Sequence, residues 1–381
     1  MTTEQQEEEK ICIIGSGNWG CAIATVLGRN AAILPFCSEA VNMWVYDEPV
    51  TLPSDKKSTA KLSYVINTLH ENVKYLPGVK LPSNVRAIPD LKEACKNATL
   101  LVFVTPHQFL PNLLPTIRAN VHPTRCRGVS LIKGLDFDEM TKAPVLISKS
   151  IETAMGGGFK CGVLMGANIA DEVARRQMCE STLACDFEDD GCNERTRQLF
   201  DEPPNFRVTR INDVAGAEAC GALKNIVALG AGFVDGLGFG GNTKAALLRV
   251  GLLEMAQFCA IFFQRVERGT FIESCGIADL ITTCYGGRNK RCAEEFAKLK
   301  LIEHKANCDE LWMDIEHKLL NGQKLQGTLA VKEVYALLEN RELLDSFPLF
   351  RSIFEIAFTG RPVSTITEGI HVIGKRFVSN L

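Results

Sequence analysis

The feature that most constrains the fold is a glycine-rich turn near the N-terminus. The apolar residues 11–14 precede it and the apolar residues 21–24 follow it, and its sequence is Gly15-Ser16-Gly17-Asn18-Trp19-Gly20. A GxGxxG pattern between a predicted strand and a predicted helix is typical of the first βαβ unit of a dinucleotide-binding sheet. There the glycines allow a tight turn, approach of a pyrophosphate to the backbone, and packing of helix on strand. The alternative is a glycine turn that arose by chance.

The chain up to about residue 210 alternates short β-rich runs with helix-compatible stretches. We predict strands at residues 10–14, 43–46, 85–88, 100–104, 128–132, 161–165 and 206–209. Several of these runs are continuously apolar, as strands buried on both faces of a parallel sheet are. The alternation predicts an α/β fold with a Rossmann-like, doubly wound, mostly parallel sheet.

Helical patterns dominate after Ile211. Asp213 is placed to cap a helix that runs from Val214 to about residue 234, and further helices are predicted at 244–264, 291–299, 315–320, 329–338 and 349–358. We therefore predict three parts: an acidic flexible tip at 1–10, a Rossmann-like domain at 11–211, and an all-helical substrate and catalytic domain at 212–381.

Charge and cysteine content narrow the classes of partner. The 381-residue chain has a net charge of -3, which gives no broad basic field for nucleic acid. Its 15 cysteines are odd in number and include no CxxC pair, so neither a metal site nor a disulfide framework is expected. Cysteines inside apolar runs, such as Cys12, Cys220 and Cys259, fit buried thiols in a reducing compartment.

The chain ends bear on location. The acidic N-terminus has no apolar signal region, and Arg249 and Glu254 interrupt the most apolar helical stretch, so we expect a cytoplasmic protein without a membrane span. The C-terminal Ser379-Asn380-Leu381 distantly resembles a peroxisomal address. Import into a peroxisome or glycosome is therefore the minor alternative.

Two acids follow the second predicted strand, in the sequence Tyr46-Asp47-Glu48. An acid at this position accepts the adenosine ribose hydroxyls and repels a 2′-phosphate, which favours NAD over NADP. Residues 35–41 are interpreted as a lengthened loop before this strand. In the alternative, Tyr46 packs on the adenine and Asp47 lies in solvent.

Two lysines are candidates for the chemistry. Lys224 and Glu218 are the only charged residues between Val214 and Val234, and an apolar environment lowers the pKa of a lysine so that it can exchange protons. The alternative is a structural lysine whose ammonium extends from the helix to solvent. Asn225 beside it is a possible amide donor. Lys133 follows the strand at 128–132, where α/β sheets bind ligands, or is an ordinary surface lysine.

A phosphate cradle is predicted near residue 288. Asp279 and Thr283 precede the sequence Gly286-Gly287-Arg288-Asn289, after which a helix is expected. Glycines, a helix start and an arginine together suit a phosphate. The alternative is a helix start with a solvated arginine. The polar, glycine-bounded loop at 321–327 is a further candidate for a functional segment, or a plain surface turn.

With these residues identified, the chain resembles the cytosolic, eukaryotic-type NAD-dependent glycerol-3-phosphate dehydrogenases along nearly its whole length. The matching stretches are residues 15–20, 106–109, 130–134, 165–170, 220–225, 235–240, 273–289 and 321–327. The usual phenylalanine after the second strand is Tyr46 here. Departures cluster at 185–197, at 262–270 and after 340, and affect no candidate site residue.

The resemblance implies the role of each site residue. Lys224 is the catalytic proton donor and acceptor, assisted by Lys133 and Asp279. The substrate-binding residues are Lys133, Asn225, Thr283, Arg288 and Asn289, of which Arg288 and Asn289 hold the phosphate. The NAD contacts are Gly15, Ser16, Gly17, Asn18, Trp19, Gly20, Tyr46, Phe109, Lys133, Ala170, Arg288, Lys324 and Gln326. The resemblance also leads us to expect a homodimer.

The residues and the resemblance together predict one reaction, hydride transfer between NAD and glycerol 3-phosphate or dihydroxyacetone phosphate. One alternative is a dehydrogenase of similar plan acting on a hydroxyacid such as 6-phosphogluconate, which does not explain residues 286–289. The other is a non-enzymatic NAD-sensing partner protein, which has no need of Lys224, Lys133 and Asp279.

Overall fold

The computed structural model describes residues 8–52, 55–122, 124–138, 140–187, 189–302, 307–320 and 322–371. The chain divides into two compact units. The first takes the chain up to Ile132, together with Ile147–Leu164 and Asn168–Val214. The second takes Lys133–Leu146, Met165–Ala167 and the chain from Ala215 onward. Most of the predicted acidic tip and the C-terminal Ser379-Asn380-Leu381 lie outside the described residues.

The strands belong to one large sheet and two short hairpins. The large sheet contains β1 (Glu9–Ile14), β2 (Cys37–Trp44), β5 (Val85–Ile88), β6 (Leu100–Phe103), β7 (Arg127–Ser130), β10 (Cys161–Met165), β11 (Cys179–Ala184) and β12 (Phe206–Ile211). The hairpins pair β3 (Pro49–Leu52) with β4 (Asp55–Lys61) and β8 (Asp136–Phe137) with β9 (Pro144–Val145). The order in the sheet is β12-β11-β10-β7-β6-β1-β2-β5. Pairing is parallel along β7-β6-β1-β2-β5, between β10 and β7, and between β11 and β12.

The helices of the first unit cover both faces of the sheet. They are α1 (Asn18–Ala31), α2 (Leu62–Leu69), α3 (Leu91–Cys95), α4 (Leu110–Arg118), α5 (Ile147–Met155), α6 (Ala170–Ala174) and α7 (Asp190–Phe200). Side chains of β1 alternate between two cores: Ile11 and Ile13 pack with residues of α1, whereas Cys12 and Ile14 pack with residues of α4 and α5. Burial on both faces explains why β1 is apolar at successive positions.

The second unit is built of helices around a separate core. They are α8 (Val214–Gly236), α9 (Gly241–Phe262), α10 (Asp279–Gly286), α11 (Arg288–Ile302), α12 (Cys308–Leu320), α13 (Gln326–Asn340) and α14 (Pro348–Phe358), with a π-helical turn at Ser274–Ala278 and short 3₁₀ turns. The predicted fold class, a doubly wound parallel sheet followed by a helical domain, is confirmed.

Two helices of the described chain, α8 and α9, are long and apolar enough by length and composition to span a membrane. The most apolar window of α8 is 100% buried within the structure and that of α9 is 50% buried. Burial on all sides is what the central helix of a helical core shows, and it accounts for the composition of α8. The expectation of no membrane span stays a prediction.

The sequence-based prediction omitted one strand of the large sheet and made another too short. β11, with the sequence CESTLA, was not predicted because Glu180, Ser181 and Thr182 interrupt its apolar pattern. β2 begins at Cys37, so the interpretation of residues 35–41 as a loop is wrong. The polar Ser38 and Glu39, neither of them buried, lie within the strand between the buried Cys37 and Val41. The helices α11 and α12 begin earlier than predicted, since their first turns are polar.

Most cysteines are buried, as their apolar sequence surroundings indicated. All fifteen lie in the described part of the chain and remain thiols, and only Cys179 and Cys192 are partly exposed. Burial raises the pKa of the Cys21 thiol and of the Cys284 thiol to about 12. Among the described residues, no cluster of histidine, cysteine, aspartate or glutamate is arranged to hold a metal ion.

Candidate functional site

The glycine turn has the geometry that a bound pyrophosphate requires. Gly15 has a φ of 120°, a backbone conformation that residues other than glycine rarely adopt. At Gly20 no side chain fits, because a Cβ there would lie 2.3 Å from the Gly15 carbonyl oxygen. Gly17 precedes α1, no side chain caps this helix start, and a Cβ on Gly17 would meet no atom within 4 Å. Open space at Gly17 and a helix N-terminus together suit the phosphates of a dinucleotide.

A cavity of about 730 Å³ lies against this turn, within the first unit. That volume suits a bound cofactor. The predicted cofactor residues Gly15, Ser16, Gly17, Tyr46 and Phe109 line it, together with Trp44, Glu48, Tyr75, Val104, Thr105, Pro106, Asn112 and Leu113. The side chains of Tyr46 and Phe109 are largely exposed, which gives the cavity two aromatic walls. Tyr75 and Thr105 were not predicted from the sequence: Tyr75 lies in an irregular segment after α2, and Thr105 lies in the turn just after β6.

The remaining predicted cofactor residues lie elsewhere. Asn18, Trp19 and Gly20 form the first turn of α1, and Ala170 begins α6; none of them lines the cavity. In the second unit, the Lys324 Nζ lies 2.7 Å from an oxygen of the buried Glu316 carboxylate, and Gln326 begins α13. The other Glu316 oxygen accepts the Leu325 N–H at 3.1 Å. Glu316 thus positions Lys324 and Leu325, which lie just before α13, a role for which the sequence carries no signal.

The second unit holds Lys224 in the middle of α8. Its side chain is buried, and its helix neighbours Leu223, Ile226 and Val227 are fully buried. Burial lowers the pKa of Lys224 to about 7, although the Asp279 carboxylate acts in the opposite direction. Its Nζ forms an ion pair with Asp279 Oδ1. The alternative in which this ammonium extends to solvent is therefore wrong.

Asp279 joins Lys224 to Lys133. The Lys133 Nζ lies 2.8 Å from Asp279 Oδ2 and donates to the Gly166 carbonyl oxygen at 2.9 Å. Gly221, one turn before Lys224, leaves room for this arrangement, because a Cβ there would lie 3.0 Å from Met165 Sδ. The π-helical turn at Ser274–Ala278 leads directly into Asp279, and such turns recur at functional sites. We call Lys224, Lys133 and Asp279 the lysine–aspartate cluster.

Two buried amides extend from this cluster. The Asn289 Nδ2 donates to Asn225 Oδ1 at 2.9 Å, and Asn289 Oδ1 accepts the Gly327 N–H at 2.9 Å. Asn225, the residue after Lys224, is thereby connected to the start of α11 and to the first turn of α13. Asn289 positions the start of α13 in addition to its expected phosphate contact.

Thr283 and Arg288 lie on either side of the glycine pair. The Thr283 Oγ1 donates to the Asp279 carbonyl oxygen at 2.6 Å, one turn earlier in α10. Arg288 is exposed at the start of α11, and its Nη1 donates to Gln323 Oε1 at 3.2 Å. Contacts or helical turns thus link six of the predicted site residues: Lys133, Lys224, Asn225, Asp279, Thr283 and Asn289. Arg288, the seventh, directly precedes Asn289 in the chain.

The glycine turn in a parallel sheet and the buried lysine with its lowered pKa define a class of protein, the two-domain nicotinamide-dependent dehydrogenases. Comparisons with known proteins identify the family. The N-terminal domain of NAD-dependent glycerol-3-phosphate dehydrogenase matches residues 10–190, and the C-terminal domain matches residues 213–368. The chain belongs to the NAD-dependent glycerol-3-phosphate dehydrogenase family, so the predicted family and the predicted cofactor, NAD, are confirmed.

Similar proteins match the chain over nearly its full length. A human cytoplasmic NAD(+) glycerol-3-phosphate dehydrogenase is 47% identical over 96% of this chain and 97% of its own. A glycerol-3-phosphate dehydrogenase 1-like protein from Danio rerio is 50% identical over 93% of this chain and 95% of its own. The structure of a glycerol-3-phosphate dehydrogenase from Saccharomyces cerevisiae has a TM-score of 0.85 at 40% identity, covering 96% of this chain and 100% of that chain.

Proposed function

We propose that this protein interconverts glycerol 3-phosphate and dihydroxyacetone phosphate with NAD. Family membership supports the reaction. The main structural support for the mechanism is the lysine–aspartate cluster. The nicotinamide cofactor, which the glycine turn and the cavity beside it would hold, would supply the hydride chemistry at C2 of the substrate. Reduction places negative charge on the carbonyl oxygen, so the site needs a proton donor there.

Lys224 is the proposed proton donor and acceptor. Its pKa, lowered to about 7 by burial, makes both protonation states accessible near neutral pH. During reduction the Lys224 ammonium gives its proton to the carbonyl oxygen, and during oxidation the neutral amine takes the hydroxyl proton. Asp279 orients Lys224 through their ion pair, and Lys133 adds a second positive charge that stabilises negative charge on oxygen.

Arg288 and Asn289 are the proposed phosphate-binding residues. They begin α11, a helix of 15 residues, whose N-terminus carries partial positive charge. An arginine forms paired, charge-assisted hydrogen bonds to a phosphate. The link from Asn289 through Asn225 to Lys224 fixes the proposed phosphate site relative to the proton donor.

The names of the similar proteins support a cytoplasmic location. In the cytoplasm this reaction supplies glycerol phosphate for lipids and reoxidises NADH. A homodimer is the proposed assembly, on the resemblance alone. Peroxisomal or glycosomal import stays the minor alternative.

The reaction is tested by NADH oxidation against a panel of ketones. We expect dihydroxyacetone phosphate to be reduced with a kcat/KM at least about 100-fold above that of dihydroxyacetone, since one or two charge-assisted hydrogen bonds hold the phosphate. The oxidised form of NAD with 6-phosphogluconate tests the hydroxyacid alternative. Turnover of that acid without turnover of glycerol 3-phosphate would contradict the proposal, and NADH binding without any turnover would favour the sensing protein.

The pKa of Lys224, about 7, predicts opposite pH dependences for the two directions. Reduction requires the ammonium, so kcat/KM for dihydroxyacetone phosphate should fall by about tenfold per pH unit well above that pKa. Oxidation requires the neutral amine, so kcat/KM for glycerol 3-phosphate should rise through the same range. Initial rates in both directions measure this. Two flat profiles, or two that change in the same sense, would exclude Lys224 as the titrating group.

A further inference from the structure

Of the two acids that follow β2, only Glu48 lines the cavity. Asp47 contacts the start of α2 instead: its Oδ1 accepts the Ser63 N–H at 3.1 Å, and its Oδ2 lies 3.5 Å from the Lys61 Nζ. These contacts lower the pKa of Asp47. Its carboxylate therefore stabilises the start of α2 and does not face the cavity. Cofactor recognition at this strand end therefore falls to Glu48.

The Glu48 carboxylate is held on both oxygens. The Tyr75 hydroxyl donates to Oε1 at 2.7 Å, and the Lys74 Nζ forms an ion pair with Oε2. The hydrogen bond from Lys74 is the main reason that the pKa of Glu48 lies below its ordinary value. Glu48 is thus an anion at neutral pH, and it neutralises the Lys74 ammonium.

Lys74 and Tyr75 are fixed to the glycine turn. Asn72 is fully buried; its Nδ2 donates to the Ser16 carbonyl oxygen at 2.8 Å, and its Oδ1 accepts the N–H groups of Lys74 at 3.2 Å and Tyr75 at 3.0 Å. The Asn18 Nδ2 donates to the Tyr75 carbonyl oxygen at 2.8 Å. The buried side chain of Asn72 therefore holds both the glycine turn and the backbone of the two partners of Glu48 in place.

We propose that Lys74 is a masked phosphate-binding group: by pairing with Lys74, Glu48 excludes a 2′-phosphate in addition to the charge repulsion expected of an acid after the second strand. The proposal rests on NAD binding in this cavity, as proposed above. A carboxylate at the end of the second strand of such a sheet lies at the adenosine ribose. Asn72 fixes the backbone of Lys74, and the Lys74 ammonium pairs with Glu48, which lines the cavity. Removing the Glu48 charge therefore leaves this ammonium without its carboxylate partner and able to pair with a 2′-phosphate.

Titration of nucleotide fluorescence with the full-length protein measures the affinities for NADH and NADPH without turnover. We expect the wild type to bind NADH at least about tenfold more tightly than NADPH. Glu48→Gln keeps the acceptor for Tyr75 and should tighten NADPH binding by about 10- to 100-fold, the worth of one charge-assisted contact, and NADH affinity should change by only a few-fold. The gain should weaken with added salt.

Two variants identify the groups responsible. Adding Lys74→Met to Glu48→Gln should abolish the gain in NADPH affinity, and a gain that persists would exclude Lys74 as the phosphate-binding group. Asp47→Asn is the matched control, because Asn keeps the acceptor for Ser63, and it should leave the ratio of affinities unchanged. A shift with Asp47→Asn but not with Glu48→Gln would overturn the proposal. Failure of the wild type to bind NADH would instead contradict the proposed function.

Discussion

Replacing Lys224 by methionine is expected to lower kcat for reduction of dihydroxyacetone phosphate by roughly 10² to 10⁴-fold, the usual worth of a positioned acid or base. NADH affinity should stay within a few-fold, since the cofactor cavity is lined by residues of the first unit. Methionine has a similar length and suits the apolar surroundings of α8. The Asp279 carboxylate keeps Lys133 as a partner at 2.8 Å, so folding should survive.

Lys244→Met is the matched control for this variant. Lys244 is also buried, its Nζ lies 2.8 Å from Asp235, and Asp235 would keep Lys290 as a partner at 2.6 Å. Both variants remove one of two lysines that share an aspartate, and both should lose a similar amount of thermal stability. Only Lys224→Met should lose kcat. A decrease of less than about threefold with Lys224→Met would show that this lysine is structural.

Arg288→Ala is expected to lower kcat/KM for dihydroxyacetone phosphate by roughly 10- to 10⁴-fold, because one or two charge-assisted hydrogen bonds to the phosphate are lost. Part of the loss should appear in kcat, since phosphate binding also positions the carbonyl. Unphosphorylated dihydroxyacetone makes no such contact, so its low rate should barely change. The preference for the phosphorylated ketone should therefore shrink.

Arg291→Ala controls for the loss of one positive charge at the start of α11, because Arg291 is also exposed on this helix. It should leave the preference nearly unchanged. NADH affinity of the Arg288 variant must be measured by fluorescence titration, as the family resemblance also places this residue near the cofactor. Equal losses for both ketones at saturating NADH would assign Arg288 to the cofactor or the fold.

Local patterns account for what the sequence predicted well. The strand β1, the glycine turn and the start of α1 are contiguous, so strand, turn and helix signals reinforce one another. The apolar surroundings of Lys224 were equally visible. Its partner was not: Asp279 comes much later in the chain, and only the folded helices show that the ammonium meets a carboxylate.

At the candidate cofactor site, the sequence could not show in which direction each side chain points. Asp47 and Glu48 are adjacent and chemically alike, and their separate roles depend on contacts with Ser63 and Tyr75. The strand β11 was missed because Ser181 and Thr182, although polar, are buried in the fold, which their residue types do not indicate. Glu316 and Asn72, which position two loops, carry no local signal at all.

The sharing of Asp279 by two lysines has a consequence for the whole catalytic cycle. With both ammonium groups charged, the lysine–aspartate cluster carries one net positive charge, and after Lys224 releases its proton the cluster is neutral. At no stage is a carboxylate left inside the helical unit without a counterion, a state that would be strongly destabilising. Proton release and uptake by Lys224 therefore alternate between two charge states, and in both of them the Asp279 carboxylate keeps a positively charged partner.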